Sequence, residues 1–184
     1  DTPRLWYNGP MFRYERPQKG RSRQFHQSSV EVFGIEGSEI DAEIIKLSSR
    51  LWKRLGIEGN VYLEINSIGN ESTRLRYTED LLKYFQPLKD QLDEDILKKL
   101  NDNPLRVLDS KSERIKSLLK AAPKISDYLD EDSEAHFKKL MTILDSLGIS
   151  YDVNPKLVRG LDYYNKTVFE WKTDNLGAQD TICA

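Results

Sequence analysis

The chain has 184 residues, with 28 Lys and Arg against 30 Asp and Glu, so a net charge of −2 gives no general signal for nucleic acid binding. Its apolar runs fall far short of a bilayer span, and no charged-then-apolar signal pattern opens it. A single Cys183 excludes an internal disulfide and fits a reducing, cytoplasmic location, while His26 and His136 have no Cys or His partner at metal-ligand spacing, so no metal site is expected.

This length supports one sizeable domain or two small ones. From the N-terminus, residues 4–15 and 23–33 carry aromatic and branched residues around a polar loop with Pro17 and Gly20. They read as two antiparallel strands joined by a long loop. Ser38 precedes Asp41-Ala42-Glu43, and Ile40, Ile44, Leu47, Leu51 and Leu55 follow at helical spacing. That predicts a helix with Ser38 as N-cap, acids in its first turn and Gly56 as its stop. Val61–Ile65 reads as a strand buried on both faces, ended by Gly69-Asn70. Helical spacing then takes over in four segments, marked by Leu75, Leu81, Leu82 and Phe85; by Ile96, Leu97 and Leu100; by Ile115, Leu118 and Leu119; and by Phe137, Leu140, Met141, Leu144 and Leu147. Pro87, Pro104 and Pro123 separate them, and Gly148 stops the last. Strands resume at Ile149–Val153 and Tyr163–Thr173. The expected organisation is α+β: core 1–69, a small all-helical insertion 70–150, and core strands 151–184.

Charge is unevenly spread. Residues 1–26 hold Arg4, Arg13, Arg16, Lys19, Arg21 and Arg23 against Asp1 and Glu15, a surplus of four positive charges, whereas residues 71–152 hold 17 acids and 14 bases. An anionic ligand is expected at the hairpin, where guanidinium forks could pair with phosphate oxygens. Arg13 could clamp a phosphate, or be a surface cation paired with Glu15 or Glu31. Phe25 could stack on a base or fill the core. Gln27 and Glu31, four apart, share one side of a regular strand and could line a pocket or a solvated face. In the second cluster, Leu157–Asn165, Gly160 permits a tight bend between Arg159 and the pair Tyr163-Tyr164. Arg159 could bind a carboxylate or phosphate, with the tyrosines as pocket walls; the alternative is a strand-entry turn.

These two clusters carry a resemblance. FRYERPQKGRSRQFHQ (residues 12–27) closely resembles motif 2 of the class II aminoacyl-tRNA synthetases in its histidine-specific form, and LVRGLDYYNKTVFEW (157–171) is similar to the histidine-specific signature. LWYNGPMFR, DAEII, NPLRVLDSK, DYLDE and GAQDTICA fit the same family in the same order, so the resemblance covers essentially the whole chain. It implies part of a class II antiparallel sheet with flanking helices, interrupted by a helical insertion that approaches the tRNA acceptor stem. It implies ATP-dependent ligation of histidine to its tRNA through histidyl-adenylate, with Mg²⁺ on the ATP and a homodimeric whole enzyme.

By resemblance, Arg13 and Arg159 are the catalytic cations. Arg13 holds the α-phosphate of ATP and the histidine carboxylate, Glu15 accepts from the adenine amino group, Arg21 meets the terminal phosphates, and Phe25 stacks on adenine. Gln27 and Glu31 line the amino acid pocket, Arg159 contacts the α-phosphate in place of a second metal, and Tyr163 and Tyr164 form the imidazole-side wall. Ser28-Ser29 departs from the apolar-then-Gly pair frequent in bacterial relatives. Motif 1, motif 3 and the anticodon-binding domain have no counterpart here, so the chain is expected to be a fragment that is not competent alone. Two alternatives remain. One is a synthetase-like regulatory module of histidine biosynthesis, against which Arg13, Arg21 and the insertion count. The other is a separate tRNA-binding domain at 70–150, for which the acidic balance offers no support.

Overall fold

Period-two alternation closes the N-terminus on itself. Strands β1 (Arg4–Phe12) and β2 (Gln24–Val32) pair antiparallel, from Arg4 opposite Val32 to Phe12 opposite Gln24. Facing residues of an antiparallel pair point to the same side, so the odd-numbered residues form one face and the even-numbered the other. The ladder runs one step further, with the Arg13 amide donating to the Arg23 carbonyl at 2.9 Å. At the tip Gln18 and Arg21 exchange backbone hydrogen bonds of 3.1 and 2.9 Å, with Gly20 at φ +74°. The structure, a computed structural model, describes residues 2–159, 163–176 and 180–184; Gly160, expected to form a bend, lies outside them.

Helix α1 (Ser38–Arg54) follows, and it differs from the sequence reading in two respects. Gly37 is the N-cap, and Ser38 is the first helical residue, buried with its hydroxyl unpartnered. The buried face is Ala42, Ile45, Ser48 and Trp52, while Leu47, Leu51 and Leu55 of the expected stripe are exposed. Both stripes have helical spacing, so periodicity alone could not choose between them. The Ala42–Trp52 face wins because Trp171 packs edge-on to Trp52 at 6.3 Å and donates its indole N–H to the Ser48 hydroxyl at 2.9 Å. Gly56, at φ +69°, stands just past the helix as expected.

Strand β3 (Tyr62–Ser67) precedes four helices: α2 (Glu71–Phe85), α3 (Glu94–Asp102), α4 (Glu113–Leu118) and α5 (Glu131–Ser146). Asn70 and Asp93 cap α2 and α3, accepting from the amides of Thr73 and Ile96 at 2.8 and 2.9 Å. The strand expected at Ile149–Val153 contracts to β4 (Asp152–Val153), because the Ile149 amide instead donates back to Leu144 of α5. The one expected at Tyr163–Thr173 contracts to β5 (Thr167–Lys172), entered through Lys166 at φ +55°. A short β6 (Thr181–Cys183) was not foreseen. These strands hydrogen-bond in the order β4–β3–β5–β6, with β3–β4 parallel and β5–β6 antiparallel.

The chain divides into two compact units. The first comprises Asp1–Leu63, Lys139–Tyr151 and Glu170–Ala184, with Ala42, Ile45, Trp52, Leu63, Leu140, Leu144 and Trp171 as its buried core. The second comprises Glu64–Lys138 and Asp152–Phe169. Its core gathers Tyr77, Leu81, Phe85, Ile96, Leu100, Val107, Ile115 and Ile125 from successive helices. Tyr77 donates to the Pro123 carbonyl at 3.2 Å, and burial pushes its phenol well above the ordinary range. In the second unit Asp130 ties two helix starts. It accepts from the Ser133 amide at 2.6 Å and from the Asn70 side-chain amide at the start of α2.

Leu81 is fully buried and Leu75 is exposed on the same helix. Leu81→Ala should cost roughly 2–5 kcal/mol in chemical denaturation, and Leu75→Ala less than about 0.5 kcal/mol. Hydrogen bonding from Ser133 and Asn70 holds the Asp130 carboxyl below its ordinary value. Its contribution is present above the unfolded pKa of about 3.9 and is lost as pH falls through the lower folded value. Asp130→Ala should therefore lower the denaturation midpoint at pH 7, and the gap to the unsubstituted chain should narrow as pH drops below about 4.

Candidate functional site

The odd-numbered face of the hairpin gathers Arg13, Phe25, Gln27 and Glu31, with Arg23, Gly9 and Ser29 among them. Burial follows the same alternation: Gly9, Met11, Arg13 and Glu15 are half-buried while Pro10, Phe12 and Tyr14 are exposed. The Arg13 guanidinium lies 4.2 Å from the centre of the Phe25 ring and donates through Nε to the Ser22 carbonyl at 3.1 Å. It is held over an aromatic face, a favourable place for a cation. Neither Glu15 nor Glu31 pairs with it, so the carboxylate partner considered from sequence is not the one adopted.

Glu15 pairs instead with Arg21 across the loop, Arg21 Nη2 donating to Oε1 at 2.7 Å. Arg23 donates to the Glu15 carbonyl at 3.0 Å and its guanidinium stands 5.1 Å from the centre of the Tyr14 ring. Three of the four hairpin arginines named in the motif are thus positioned by contacts inside the hairpin. Phe12, Arg13, Tyr14, Arg23 and Gln24 border a shallow, open depression of about 350 Å³. Gln27 donates from Nε2 to the Ser29 hydroxyl at 2.9 Å. On the opposite face Asn8 donates to the Ser28 hydroxyl at 2.7 Å.

The remaining predicted residues lie in the second unit. Arg159 stands 5.7 Å from the centre of the Tyr164 ring, and Tyr163 and Tyr164 stack at 4.9 Å with 27° between their planes. Site residues therefore fall into two groups, one in each unit, each assembled by guanidinium–aromatic contact. Sequence reasoning missed the Gln27–Ser29 bond, the Arg23–Tyr14 contact and the seat of the loop tip, where a Cβ added to Gly20 would lie 2.8 Å from Leu176 Cδ2. Period-two alternation could have flagged Ser29. Nothing local in sequence could have flagged Leu176.

An antiparallel hairpin bearing arginines on one face, followed by a mixed sheet with flanking helices, is the architecture of the class II synthetase core. The chain belongs to the family "tRNA synthetase class II core domain (G, H, P, S and T)", whose profile it matches over residues 3–184. Among its relatives, the histidine–tRNA ligase of Psychrobacter sp. (strain PRwf-1) is 57% identical over 184 residues, all of this chain and 42% of that protein. The histidine–tRNA ligase of Hydrogenovibrio crunogenus is 59% identical over 181 residues, 98% of this chain and 42% of that protein. Apo S. aureus histidyl-tRNA synthetase superposes with a TM-score of 0.70 at 38% identity, over 93% of this chain and 39% of that one. The chain thus spans about two-fifths of the length of these relatives.

Gly20 and Gly9 make opposite demands on the hairpin. Gly20 needs a left-handed φ, whereas a Cβ at Gly9 would meet nothing within 4 Å. Gly20→Ala should cost about 1–2 kcal/mol and Gly9→Ala less than about 0.5 kcal/mol, read from urea denaturation midpoints.

Proposed function

We propose that this chain forms part of a histidine–tRNA ligase and that the odd-numbered hairpin face binds ATP and histidine for histidyl-adenylate formation. The observation that carries the reading is the set Arg13, Phe25, Gln27 and Glu31 on one face, in a chain 57–59% identical to proteins named histidine–tRNA ligase. In the reaction a histidine carboxylate oxygen attacks the α-phosphorus of ATP. A carboxyl–phosphoryl bond forms, the bond from the α-phosphorus to the bridging oxygen breaks, and pyrophosphate leaves with that electron pair. Arg13 and Arg159 neutralise the charge that builds on the α-phosphoryl oxygens. A ribose hydroxyl at the 3′ end of the tRNA then attacks the acyl carbon and AMP departs.

Phe25 offers its ring to adenine, Glu15 accepts from the adenine amino group and Arg21 meets the terminal phosphates. On this reading nucleotide binding exchanges the Glu15–Arg21 pair and the Arg13–Phe25 stack for contacts to the ligand. Gln27 and Glu31 take the ammonium or imidazole of histidine, and Tyr163, Tyr164 and Arg159 complete its surroundings. Mg²⁺ comes with the ATP as part of the substrate. Among the described residues no three His, Cys, Asp or Glu side chains gather as a group that could hold a metal ion, and no step is assigned to one.

The helical segment 70–150 is proposed as the insertion domain that approaches the acceptor stem, between core segments 1–69 and 151–184. A homodimer and a cytoplasmic location are proposed for the whole enzyme. Among the described residues no helix is long and apolar enough to cross a membrane.

Calorimetric titration of the chain with ATP and with L-histidine tests the reading. Arg13→Ala should weaken both ligands about tenfold or more, as loss of a charge-assisted hydrogen bond worth roughly 1.5–3 kcal/mol requires. Glu31→Gln should weaken histidine alone. ATP affinity indifferent to Arg13 would refute the assignment of the nucleotide to this face.

A further inference from the structure

We propose that Ser29 is a positioning residue of the amino acid subsite: it holds the Gln27 side-chain amide through Nε2 and so presents the carbonyl oxygen to the ammonium of the incoming amino acid. The inference rests on the reading of the hairpin face given above.

Ser29 lies on β2 between Gln27 and Glu31 and on the same face as both. Its neighbour across the ladder is Tyr7, and the neighbour of Gln27 is Gly9. Glycine leaves the ground beside Gln27 bare: a Cβ there would meet no atom within 4 Å. A ligand can therefore reach the Gln27 amide from this side, which is one recognised use of a glycine inside a strand.

A glutamine amide is two-sided, with a carbonyl that accepts and an NH₂ that donates. An α-ammonium offers only donors. Facing it with the NH₂ sets like polarities together and leaves both unpaired, a loss larger than that of an ordinary hydrogen bond. The 2.9 Å bond from Gln27 Nε2 to Ser29 Oγ occupies the NH₂ and leaves the carbonyl for the ligand. A hydroxyl can also donate, so the ammonium selects the carbonyl and Ser29 accepts the NH₂ in that orientation. With Nε2 anchored on Ser29, planarity of the amide turns Oε1 to the opposite side, where it can accept. Ser29 accepts with its oxygen and keeps its O–H to donate. The bond also holds in advance part of the rotamer freedom of a long side chain, which ligand binding would otherwise have to remove. The subsite is then a line of three polar side chains: Gln27 as acceptor, Ser29 as its anchor and Glu31 as the charge.

The test uses the unsubstituted chain, Ser29→Ala, Ser29→Thr, Gln27→Ala and the Gln27→Ala/Ser29→Ala double variant. L-Histidine and ATP affinities are measured by calorimetry, and the Gln27 side-chain amide by ¹⁵N–¹H spectra without ligand. Ser29→Ala should weaken histidine about fivefold, in keeping with one neutral hydrogen bond, and leave ATP unchanged. Ser29→Thr, which keeps the hydroxyl, should stay within about twofold of the unsubstituted chain. In the Gln27→Ala background the second substitution should cost nothing further, and the Gln27 amide signals should shift in Ser29→Ala but not in Ser29→Thr. An equal loss in the Gln27→Ala background, or unshifted amide signals, overturns the proposal while leaving the pocket assignment intact. No histidine binding by the unsubstituted chain overturns the pocket assignment itself and this proposal with it.

Discussion

The register of the first hairpin is the constraint on which the site depends. Arg4 faces Val32 and every later pair follows from that match, so Arg13, Phe25, Gln27, Ser29 and Glu31 fall on one face. A slip of one residue would reverse every side chain of the slipped strand, parting Arg13 from Phe25. Two strands alone are marginal in water, and Trp6 and Phe12 are 76% and 73% exposed on the even face. The register is therefore held by attachments beyond the ladder: Arg4 to Glu43 of α1 at 3.1 Å, Phe33 to Pro3 through the backbone at 3.1 Å, and the turn that Gly20 makes against Leu176. All lie within the first unit.

The hairpin loop and its base store more positive charge than they neutralise. Four arginines share the loop and its base, and one carboxylate, Glu15, pairs with Arg21. Arg13 and Arg23 rest on aromatic rings instead. An aromatic face steadies a guanidinium without cancelling its charge, so those cations keep their pull on an anion. In the second unit Arg159 also stands near an aromatic ring, 5.7 Å from the centre of Tyr164. A polyanionic ligand can displace such contacts more cheaply than it could break several ion pairs. This gives the proposed nucleotide chemistry its physical basis.

Much of this was legible in the sequence, for reasons that differ by element. The hairpin was, because period-two alternation and a Gly-containing loop are local signals. The four helices of the middle segment were, because their apolar residues recur at helical spacing and Pro87, Pro104, Pro123 and Gly148 punctuate them. The packing of α1 was not. Its leucine stripe and its Ala42–Trp52 stripe have the same spacing, and the choice is made by Trp171, more than a hundred positions away. Leu75 and Leu82 likewise look like core and are exposed, while Thr73 and Tyr77 are buried in their place. At the site the side of each residue was readable from parity. The partners were not, since the choice of Ser22 and Phe25 over Glu15 for Arg13 depends on where the loop folds back.

The central claim is that one face, and not the hairpin as a whole, carries the ligand chemistry. The direct measurement is the affinity of the chain for a non-hydrolysable sulfamoyl analogue of histidyl-adenylate, compared across single alanine substitutions along β2. The account predicts losses at Phe25, Gln27 and Glu31, and affinities within about twofold of the unsubstituted chain at His26 and Ser28, because alternate strand residues face opposite sides. Losses spread evenly over odd and even positions, or confined to the even ones, would contradict it.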